Sequence, residues 1–320
     1  MNRLLEVSGL TVRSCGSYLL RDVSISVSSH ETVAFIGESG SGKTMTLKSV
    51  LGILPDDTEK TEGSVMLNGY DIYSLKEREK RHLLGSSVGF VPQNTINYLH
   101  PLLRISDQMT DGYIAFHGRG SRRDAENKAA ELLVRVGIED AGRVLSSYPS
   151  ELSGGMIQRV NIASALMMDP SILITDEPTS ALDRIIQKQV ADLYLSLVEE
   201  KHLALIIVSH DLMLVKRIAD KIAVFYSGRV VETGTASDIF SSAAHPYTKA
   251  LISLTPSVSI DKAKPLEEIM GYMKEEDRLT DGCSFASRCP FCIAECMKCD
   301  KSLRLSDTHS VRCIRAKELL

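Results

Sequence analysis

Residues 37–44 read GESGSGKT, and this stretch decides the fold class of the chain. It follows an apolar run at 32–36 that predicts a buried strand, and it precedes a segment at 45–51 that predicts a helix. A glycine-rich loop between a strand and a helix directs backbone N–H groups and the positive end of the helix dipole at one point, where a phosphate binds. In this pattern the lysine reaches the β- and γ-phosphates, and the final hydroxyl ligates Mg²⁺. We therefore predict a nucleoside triphosphate site formed by Gly37, Glu38, Ser39, Gly40, Ser41, Gly42, Lys43 and Thr44.

The composition excludes several other classes of protein. The chain has 320 residues, 43% of them hydrophobic and 24% charged, which is enough for one large or two smaller globular domains. Its net charge of −4 argues against a general nucleic-acid coat. The longest unbroken apolar run, residues 203–208, is too short to cross a bilayer, and the N-terminus lacks the apolar core of a secretory signal. We expect the chain to stay where it is made and to reach a membrane only through partners.

A second motif supplies two adjacent carboxylates. Residues 172–175 predict a buried strand, and Asp176 and Glu177 follow it directly. Successive strand residues face opposite sides, so one carboxylate can face a metal while the next turns toward a water molecule. We assign Asp176 to the Mg²⁺ shell and Glu177 to the attacking water as general base.

The order of elements around this motif predicts a parallel sheet. A helix at 185–199 separates the strand at 172–175 from another at 205–208, which ends in Ser209 and His210. Strand–helix–strand order implies a parallel crossover, and such sheets place ligands at the carboxyl ends of their strands. Gly37, Asp176, Glu177 and His210 all fall at such ends.

A third motif, LSGGM at 152–156, predicts a second anion site. Ser153, Gly154 and Gly155 place a hydroxyl and backbone N–H groups at the start of a helix predicted over 154–168. One nucleotide cannot obviously use both helix ends of one subunit. A head-to-tail dimer, in which each Ser153 loop closes over the partner's nucleotide, resolves this.

In these motifs, over residues 1 to about 240, the chain resembles an ABC-type ATPase. The phosphate loop, Gln93, residues 152–155 and 172–177, SALD at 180–183 and His210 are similar to the Walker A, Q-loop, signature, Walker B, D-loop and switch histidine of that family. The resemblance implies an α/β fold with a RecA-like parallel core sheet, an antiparallel β subdomain and a helical subdomain. It also implies ATP and Mg²⁺ sandwiched between two subunits.

The resemblance further implies roles for single residues. Gln93 would contact Mg²⁺ or the water and report to a membrane partner, and His210 would contact the γ-phosphate. Ser153 and Gly155 would bind the partner's γ-phosphate, and Asp183 would cross the dimer seam. The family usually stacks an aromatic residue on adenine near the first strands; Tyr18 is the only candidate here, its register is poor, and a core or surface role is the preferred interpretation.

Beyond the cassette, the tail resembles the C-terminal extension of ATP-binding subunits in dipeptide, oligopeptide and nickel importers. The residues that carry this resemblance are HPYTKAL at 245–251 and Thr255-Pro256. We predict an ATP-binding domain over 1–250 and a small Cys-rich extension over 251–320.

Cysteines concentrate in that extension. Six of the seven lie between Cys283 and Cys313, a clustering that points to metal rather than disulfides in a cytosolic protein. The family resemblance implies a [4Fe–4S] cluster on Cys283, Cys289, Cys296 and Cys313. Thiolates suit zinc as well, and the pairs Cys289/Cys292 and Cys296/Cys299 have zinc-like spacing, so the ligand set stays open. We favour the cluster over zinc, with unligated thiols as a third alternative.

The resemblance implies an importer subunit at the cytoplasmic face of the membrane, importing peptides, nickel or metal chelates. Its partners would be a second ABC ATPase (a paralogue rather than a second copy), two transmembrane permeases and an extracytoplasmic binding protein, with no nucleic acid. The alternative is a soluble ABC ATPase of DNA repair or translation. The short interval from Gln93 to Ser153 and the single cassette argue against it, and intact Lys43, Asp176, Glu177 and His210 argue against a non-hydrolysing subunit.

Overall fold

A computed structural model describes residues 3–93, 95–178, 184–201, 203–254, 269 and 271–319, without the side chains of 95, 96, 184–186 and 201. The chain divides into two compact units. The first combines residues 1–75 with 208–320, and the second consists of residues 76–207.

The strands within the described ranges vary in length from two to 12 residues. They are β1 (Arg3–Ser14), β2 (Ser17–Ser28), β3 (Thr32–Ile36), β4 (Thr58–Leu67), β5 (Tyr70–Asp71), β6 (Val88–Val91), β7 (Ile172–Asp176), β8 (Ala204–Val208), β9 (Lys221–Tyr226), β10 (Arg229–Thr235), β11 (Leu303–Arg304) and β12 (Ser310–Val311).

Helices occur in both units and account for most of the second one. They are α1 (Lys43–Val50), α2 (Glu77–Ser87), α3 (Thr95–Tyr98), α4 (Ile105–His117), α5 (Arg122–Arg135), α6 (Ala141–Ser146), α7 (Gly154–Ala165), α8 (Arg184–Lys201), α9 (Leu212–Ile218), α10 (Ala236–Ser242), α11 (Pro246–Ser253), α12 (Glu276–Leu279) and α13 (Ala316–Leu319).

The first unit contains two sheets. An antiparallel sheet has the order β2-β1-β4-β5, as the alternating pattern near the N-terminus predicts. The other runs β11-β12-β10-β9-β3, with β3 parallel to β9 and β9 antiparallel to β10. All five residues of β3 are buried, which positions the phosphate-binding loop at the carboxyl end of a core strand.

The second unit carries the strand order β8-β7-β6, with β6 parallel to β7. Every residue of β7 and of β8 is buried. Continuous apolar runs with β-branched residues form strands that are covered on both faces, which explains why the sequence reveals them so clearly.

The C-terminal residues fold back onto the first unit. Strand β12 pairs with β10 through Glu232 and Val311. The Arg229 side chain, 2% exposed, pairs with Asp300 and donates 2.7 Å to Thr280 O. A buried guanidinium that holds several oxygens stabilises a segment with little apolar core of its own.

Most sequence-based element bounds agree with the structure to within three residues. The helix after the phosphate loop begins at Lys43 rather than at Met45, and the helix predicted to run to Met168 ends at Ala165. No helix within the described ranges combines the length and hydrophobicity that a bilayer crossing requires. The domain boundary near residue 250 stays a prediction.

Candidate nucleotide-binding site

Two glycines of the phosphate loop are required by its geometry. Gly37 has φ +143°, and a Cβ there would lie 2.2 Å from Phe225 O. Gly42, at φ +110°, forms the N-terminal boundary of α1, and a Cβ there would lie 2.8 Å from Leu20 Cδ2. Side chains at these positions would strain the backbone and collide with neighbours, so the loop has this shape only with glycine.

The lysine of the motif is held at the loop. Lys43 is 6% exposed, and its Nζ donates to Gly37 O and Glu38 O at 2.8 Å each. Ser41 is fully buried, and its carbonyl accepts from Gly228 N at 2.8 Å. Thr44, in contrast, is exposed in the first turn of α1. An ammonium group and a helix N-terminus therefore converge on the same short loop, as anion binding requires.

His210 belongs to the first unit and comes two residues after the end of β8. The backbone N–H of the preceding Ser209 donates 3.2 Å to Phe35 O in β3. Asp211 then caps α9 by accepting from the N–H groups of Met213 and Leu214. These bonds fix the backbone on both sides of His210, whose side chain is exposed.

The paired carboxylates of the second unit differ in environment. Asp176 ends β7 and is 4% exposed, whereas Glu177 is half-buried. Glu177 has φ +47°, a left-handed conformation that costs a non-glycine residue about 1–3 kcal/mol. Its Oε2 accepts a 2.8 Å hydrogen bond from Gln93 Nε2. The strand end thus turns sharply, and the Glu177 carboxylate meets the amide of Gln93, which follows β6.

The serine–glycine motif begins a helix, as predicted. Ser153 is the N-cap of α7, and its Oγ accepts from Met156 N at 3.4 Å. Ser153 and Gly154 are exposed, so the N-terminus of α7 is accessible. Asp183 and the rest of the motif at 180–183 lie outside the described residues, as do Thr255 and Pro256.

Two family models match the chain. One, described as ABC transporter, matches residues 20–180, which are half of the sequence. The chain belongs to the ABC transporter family. The other, described as the C-terminal region of oligopeptide/dipeptide transporters, matches residues 231–296. The chain is therefore an ABC ATPase with an extension of the kind found in oligopeptide and dipeptide transporters, which confirms the family resemblance.

Curated relatives of this ABC ATPase match it along nearly its whole length. A Brucella abortus protein named as a peptide import ATP-binding protein is 40% identical over 97% of this chain and 94% of its own. The Bacillus subtilis dipeptide transport ATP-binding protein DppD is 36% identical over 98% and 95%.

Solved ABC structures share the fold. The dimeric ATP-binding cassette MJ0796, bound to ADP and Pi, matches with a TM-score of 0.62 at 27% identity, covering 72% of this chain and 98% of its own. CbiO1 from Clostridium perfringens, part of the transporter complex cbiONQ, gives a TM-score of 0.66 at 25% identity, with 76% and 92% covered. The α/β fold class predicted from the motifs is thereby confirmed for the ATPase part.

Tyr18, the weak candidate for adenine stacking, already has partners of its own. The guanidinium carbons of Arg13 and Arg21 lie 4.1 Å and 4.8 Å from its ring centroid. Two cations stacked at this distance engage the ring electrostatically. Tyr18 therefore serves the hairpin of β1 and β2 in this structure, in agreement with the structural role preferred from the sequence.

Cysteines of the ABC ATPase line one small cavity in the extension. Its volume is about 20 Å³, room for about one water molecule, and its cysteine lining consists of Cys283, Cys289, Cys296, Cys299 and Cys313. None of the seven cysteines, all within the described ranges, is in a disulfide. Burial raises the pKa of Cys283 to about 12 and that of Cys289 to about 11. Cys292 does not line the cavity.

Histidine 245 borders the same cavity. Its Nδ1 accepts from Tyr247 N at 3.1 Å, and its Nε2 lies 4.0 Å from Cys283 Sγ. Burial lowers the pKa of His245 to about 4, so the ring is neutral at physiological pH. Across the described part of the chain, no three His, Cys, Asp or Glu side chains form a group that could hold a single metal ion.

The structure also reveals residues that the motifs did not identify. Tyr247 accepts a 2.8 Å hydrogen bond from the backbone N–H of Glu38, and Arg278 donates 2.7 Å to Gly40 O. Arg288 pairs with the Glu38 carboxylate. These residues lie more than 200 positions from the loop they contact, and no local pattern indicates such contacts.

Proposed function

We propose that this chain is the ATP-hydrolysing subunit that energises peptide import by a membrane ABC importer. The observation that carries the proposal is the joining, in one chain, of an ABC ATPase and an extension that matches the oligopeptide/dipeptide transporter model. The match extends over 94–95% of the length of relatives that are named for peptide and dipeptide transport. Nothing in these matches favours nickel or a metal chelate as the cargo.

The residues of the sequence motifs would share the work of binding and hydrolysing the nucleotide. Lys43 and the backbone N–H groups of residues 37–44 would bind the phosphates, and His210 would contact the γ-phosphate. Glu177, oriented by the amide of Gln93, would accept a proton from the attacking water. This assignment follows from the donor types and from the hydrogen bond that already aligns Glu177.

Mg²⁺ would be held by Thr44, Gln93 and Asp176. Hydroxyl, amide and carboxylate oxygens are the ligand types that this hard cation takes, and the fit rests on an exposed hydroxyl at the start of α1 and a buried carboxylate at the end of β7. When bound, the ion neutralises the charge that develops on the β- and γ-phosphates.

Two ATPase subunits would share each nucleotide. The accessible N-terminus of α7, with Ser153, Gly154 and Gly155, would close over the partner's γ-phosphate, and Asp183 would lie at the seam. The dimeric cassette bound to ADP and Pi among the structural relatives supports this arrangement. The second ATPase would be a paralogue rather than a second copy of this chain. Two permeases and an extracytoplasmic binding protein would complete the importer, with this chain at the cytoplasmic face of the membrane.

A direct test is peptide uptake by the assembled transporter in vesicles. The chain would be reconstituted with its permeases, second ATPase and binding protein, and ATP-dependent uptake of a labelled dipeptide would be measured. The Glu177→Gln variant should abolish uptake. Uptake of a nickel chelate but not of the peptide would show that the cargo is different from the one proposed. Peptide uptake that persists without this chain would contradict the proposal.

We further propose that Cys283, Cys289, Cys296 and Cys313, which lie around the small cavity, ligate a [4Fe–4S] cluster. The donor chemistry fits, because thiolates ligate both iron–sulfur clusters and zinc. A cluster distributes its ligands over separate irons, so it needs no three side chains around one point, whereas a zinc ion does.

Metal analysis of anaerobically purified protein would test this. We expect iron and inorganic sulfide with a broad visible absorption, lost in Cys283→Ser and Cys313→Ser. Cys15→Ser is the matched control, because that exposed cysteine lies in the β1–β2 turn. Stoichiometric zinc, or metal-free protein from anaerobic cells, would refute the cluster.

A further inference from the structure

Arg288 of the extension reaches the phosphate-binding loop. Its Nη1 lies 2.9 Å from Glu38 Oε2, and its Nη2 lies 3.1 Å from Glu38 Oε1, so the pair is bidentate. The Arg288 side chain is 6% exposed and that of Glu38 is 29% exposed. A largely buried, two-bond guanidinium–carboxylate pair has a fixed geometry, unlike an exposed ion pair.

The rest of the Arg288 guanidinium is also held in place. Its nitrogens lie 3.3 Å from Tyr226 Oη and 3.2 Å from each of the carbonyl oxygens of Ile269 and Gly271. Although burial opposes it, the hydrogen bond to Glu38 holds the pKa of Arg288 above its ordinary value. The group is therefore a permanent, oriented positive charge beside the loop.

Glu38 occupies a critical position in that loop. It is the second residue of the motif, its carbonyl accepts from Lys43 Nζ at 2.8 Å, and its N–H donates to Tyr247 Oη. A triphosphate brings several negative charges to the same loop, where an uncompensated carboxylate would oppose the attraction of Lys43. The sequence motif alone thus contains a repulsive element.

We propose that Arg288 is a positioning residue for ATP that acts through Glu38: it neutralises this carboxylate and fixes the loop from its outer side. Arg278 supports the same loop two residues further on, through its 2.7 Å bond to Gly40 O. With Arg288 in place the loop keeps the net positive charge that Lys43 supplies. The extension then contributes to nucleotide binding without touching the nucleotide. This inference rests on the proposed ATP site.

The test is equilibrium binding of a fluorescent ATP analogue, with Mg²⁺, to the purified full chain. We expect Arg288→Gln to raise the Kd for ATP about 10-fold, with a smaller rise for ADP, because the repulsion acts on each phosphate charge. Added salt should reduce the difference. Arg288→Lys keeps the positive charge but loses the two-bond geometry, so we expect its Kd to rise by only about three-fold.

The double variant Glu38→Gln/Arg288→Gln separates charge from structure. Removing the carboxylate should restore ATP affinity to within about two-fold of the parent, although the bonds to Ile269 and Gly271 stay broken. Arg304→Met, which removes an exposed pair with Asp307 in the same extension, is the matched control and should bind as the parent does.

Three results would overturn the inference: equal ATP affinity in Arg288→Gln and the parent, no recovery in the double variant, or equal losses in Arg288→Lys and Arg288→Gln. The last two would indicate a merely structural role. If Arg288→Gln does not fold, the ATP affinities of Arg288→Lys and of the double variant test the inference. A parent that fails to bind ATP would instead refute the proposed nucleotide site.

Discussion

Gln93 Nε2 donates a 2.8 Å hydrogen bond to Glu177 Oε2. This bond joins the ends of two neighbouring parallel strands, because Gln93 follows β6 and Glu177 follows β7. It orients the carboxylate of Glu177, whose backbone has a left-handed conformation directly after β7. Gln93, proposed as a Mg²⁺ ligand, is thereby connected to Glu177, the residue proposed to activate water.

Glu177→Gln should retain ATP binding and lose turnover. A general base contributes about 10²–10⁴ in rate, and the amide cannot accept the proton of the attacking water. We expect hydrolysis at least about 100-fold slower, with ATP-bound dimers accumulating in size-exclusion chromatography. Glu131→Gln, an exposed position in α5, is the control. Undiminished turnover in Glu177→Gln would remove the assigned role.

Gln93→Ala should slow hydrolysis less than Glu177→Gln does. Only the orientation of the carboxylate and one proposed Mg²⁺ contact are lost, so we expect kcat to fall about 10-fold. If both residues act through the same hydrogen bond, the double variant should be no slower than Glu177→Gln alone. Steady-state kinetics on the four proteins measures this, and strictly multiplicative losses would argue for independent roles.

Gly37→Ala should disrupt the phosphate loop. A Cβ at Gly37 would lie 2.2 Å from a backbone oxygen, Phe225 O, which cannot move aside cheaply. We expect a loss of about 10-fold or more in ATP affinity, together with a lower melting temperature. The matched control is Gly85→Ala in α2, where a Cβ meets no atom within 4 Å and helix propensity improves. ATP affinity equal to that of the parent in Gly37→Ala would contradict this geometry.

The anchoring of the extension should depend on pH through His309 and Glu232. His309 Nε2 lies 2.7 Å from Glu232 Oε1, and both side chains are buried. The hydrogen bond to Glu232 raises the pKa of His309 above its ordinary 6.5, with Asp238 contributing. Although burial opposes it, bonds from His309 and from the N–H groups of Ala244 and His245 lower the pKa of Glu232 below its ordinary 4.5.

The two shifts define the pH range in which the pair stabilises the fold. The His309 contribution is complete below about pH 6.5 and is lost as the pH rises through the raised pKa. The Glu232 contribution is complete above about pH 4.5 and is lost as the pH falls through the lowered pKa. Hydrogen exchange of the β12 amides should therefore be slowest, after correction for the intrinsic rate, between these values. His309→Gln keeps a hydrogen-bond donor without the charge. In this variant the exchange rates of the β12 amides should no longer increase as the pH rises through the pKa of His309.

Local patterns predicted the elements that hold the motifs. Strands β7 and β8 were predicted to within one residue, because unbroken apolar runs report burial on both faces. The bounds of α1 and α7 were less accurate. With Gly42 as its N-cap, α1 begins at Lys43, two residues before the helix expected from sequence, and α7 ends at Ala165, three residues before the expected Met168.

The contacts that support the site were not accessible in the same way. The Tyr247 hydroxyl, Arg278 and Arg288 each look unremarkable in their own segments, and only the folded chain brings them to residues 38–40. Which cysteines line the cavity was also decided by the tertiary structure. Sequence spacing suggested that Cys292 and Cys299 were equivalent additions, whereas only Cys299 lines the cavity.

The sequence by itself determined the strand–loop–helix unit, the paired carboxylates and the serine-capped helix, because each depends on residues that are neighbours along the chain. The tertiary structure alone decided that Arg288 lies against Glu38, 250 positions away. Such a pair forms because Arg229, Arg312 and strand β12 hold the extension to the first unit. Its energy depends on burial and bidentate geometry that no local pattern encodes.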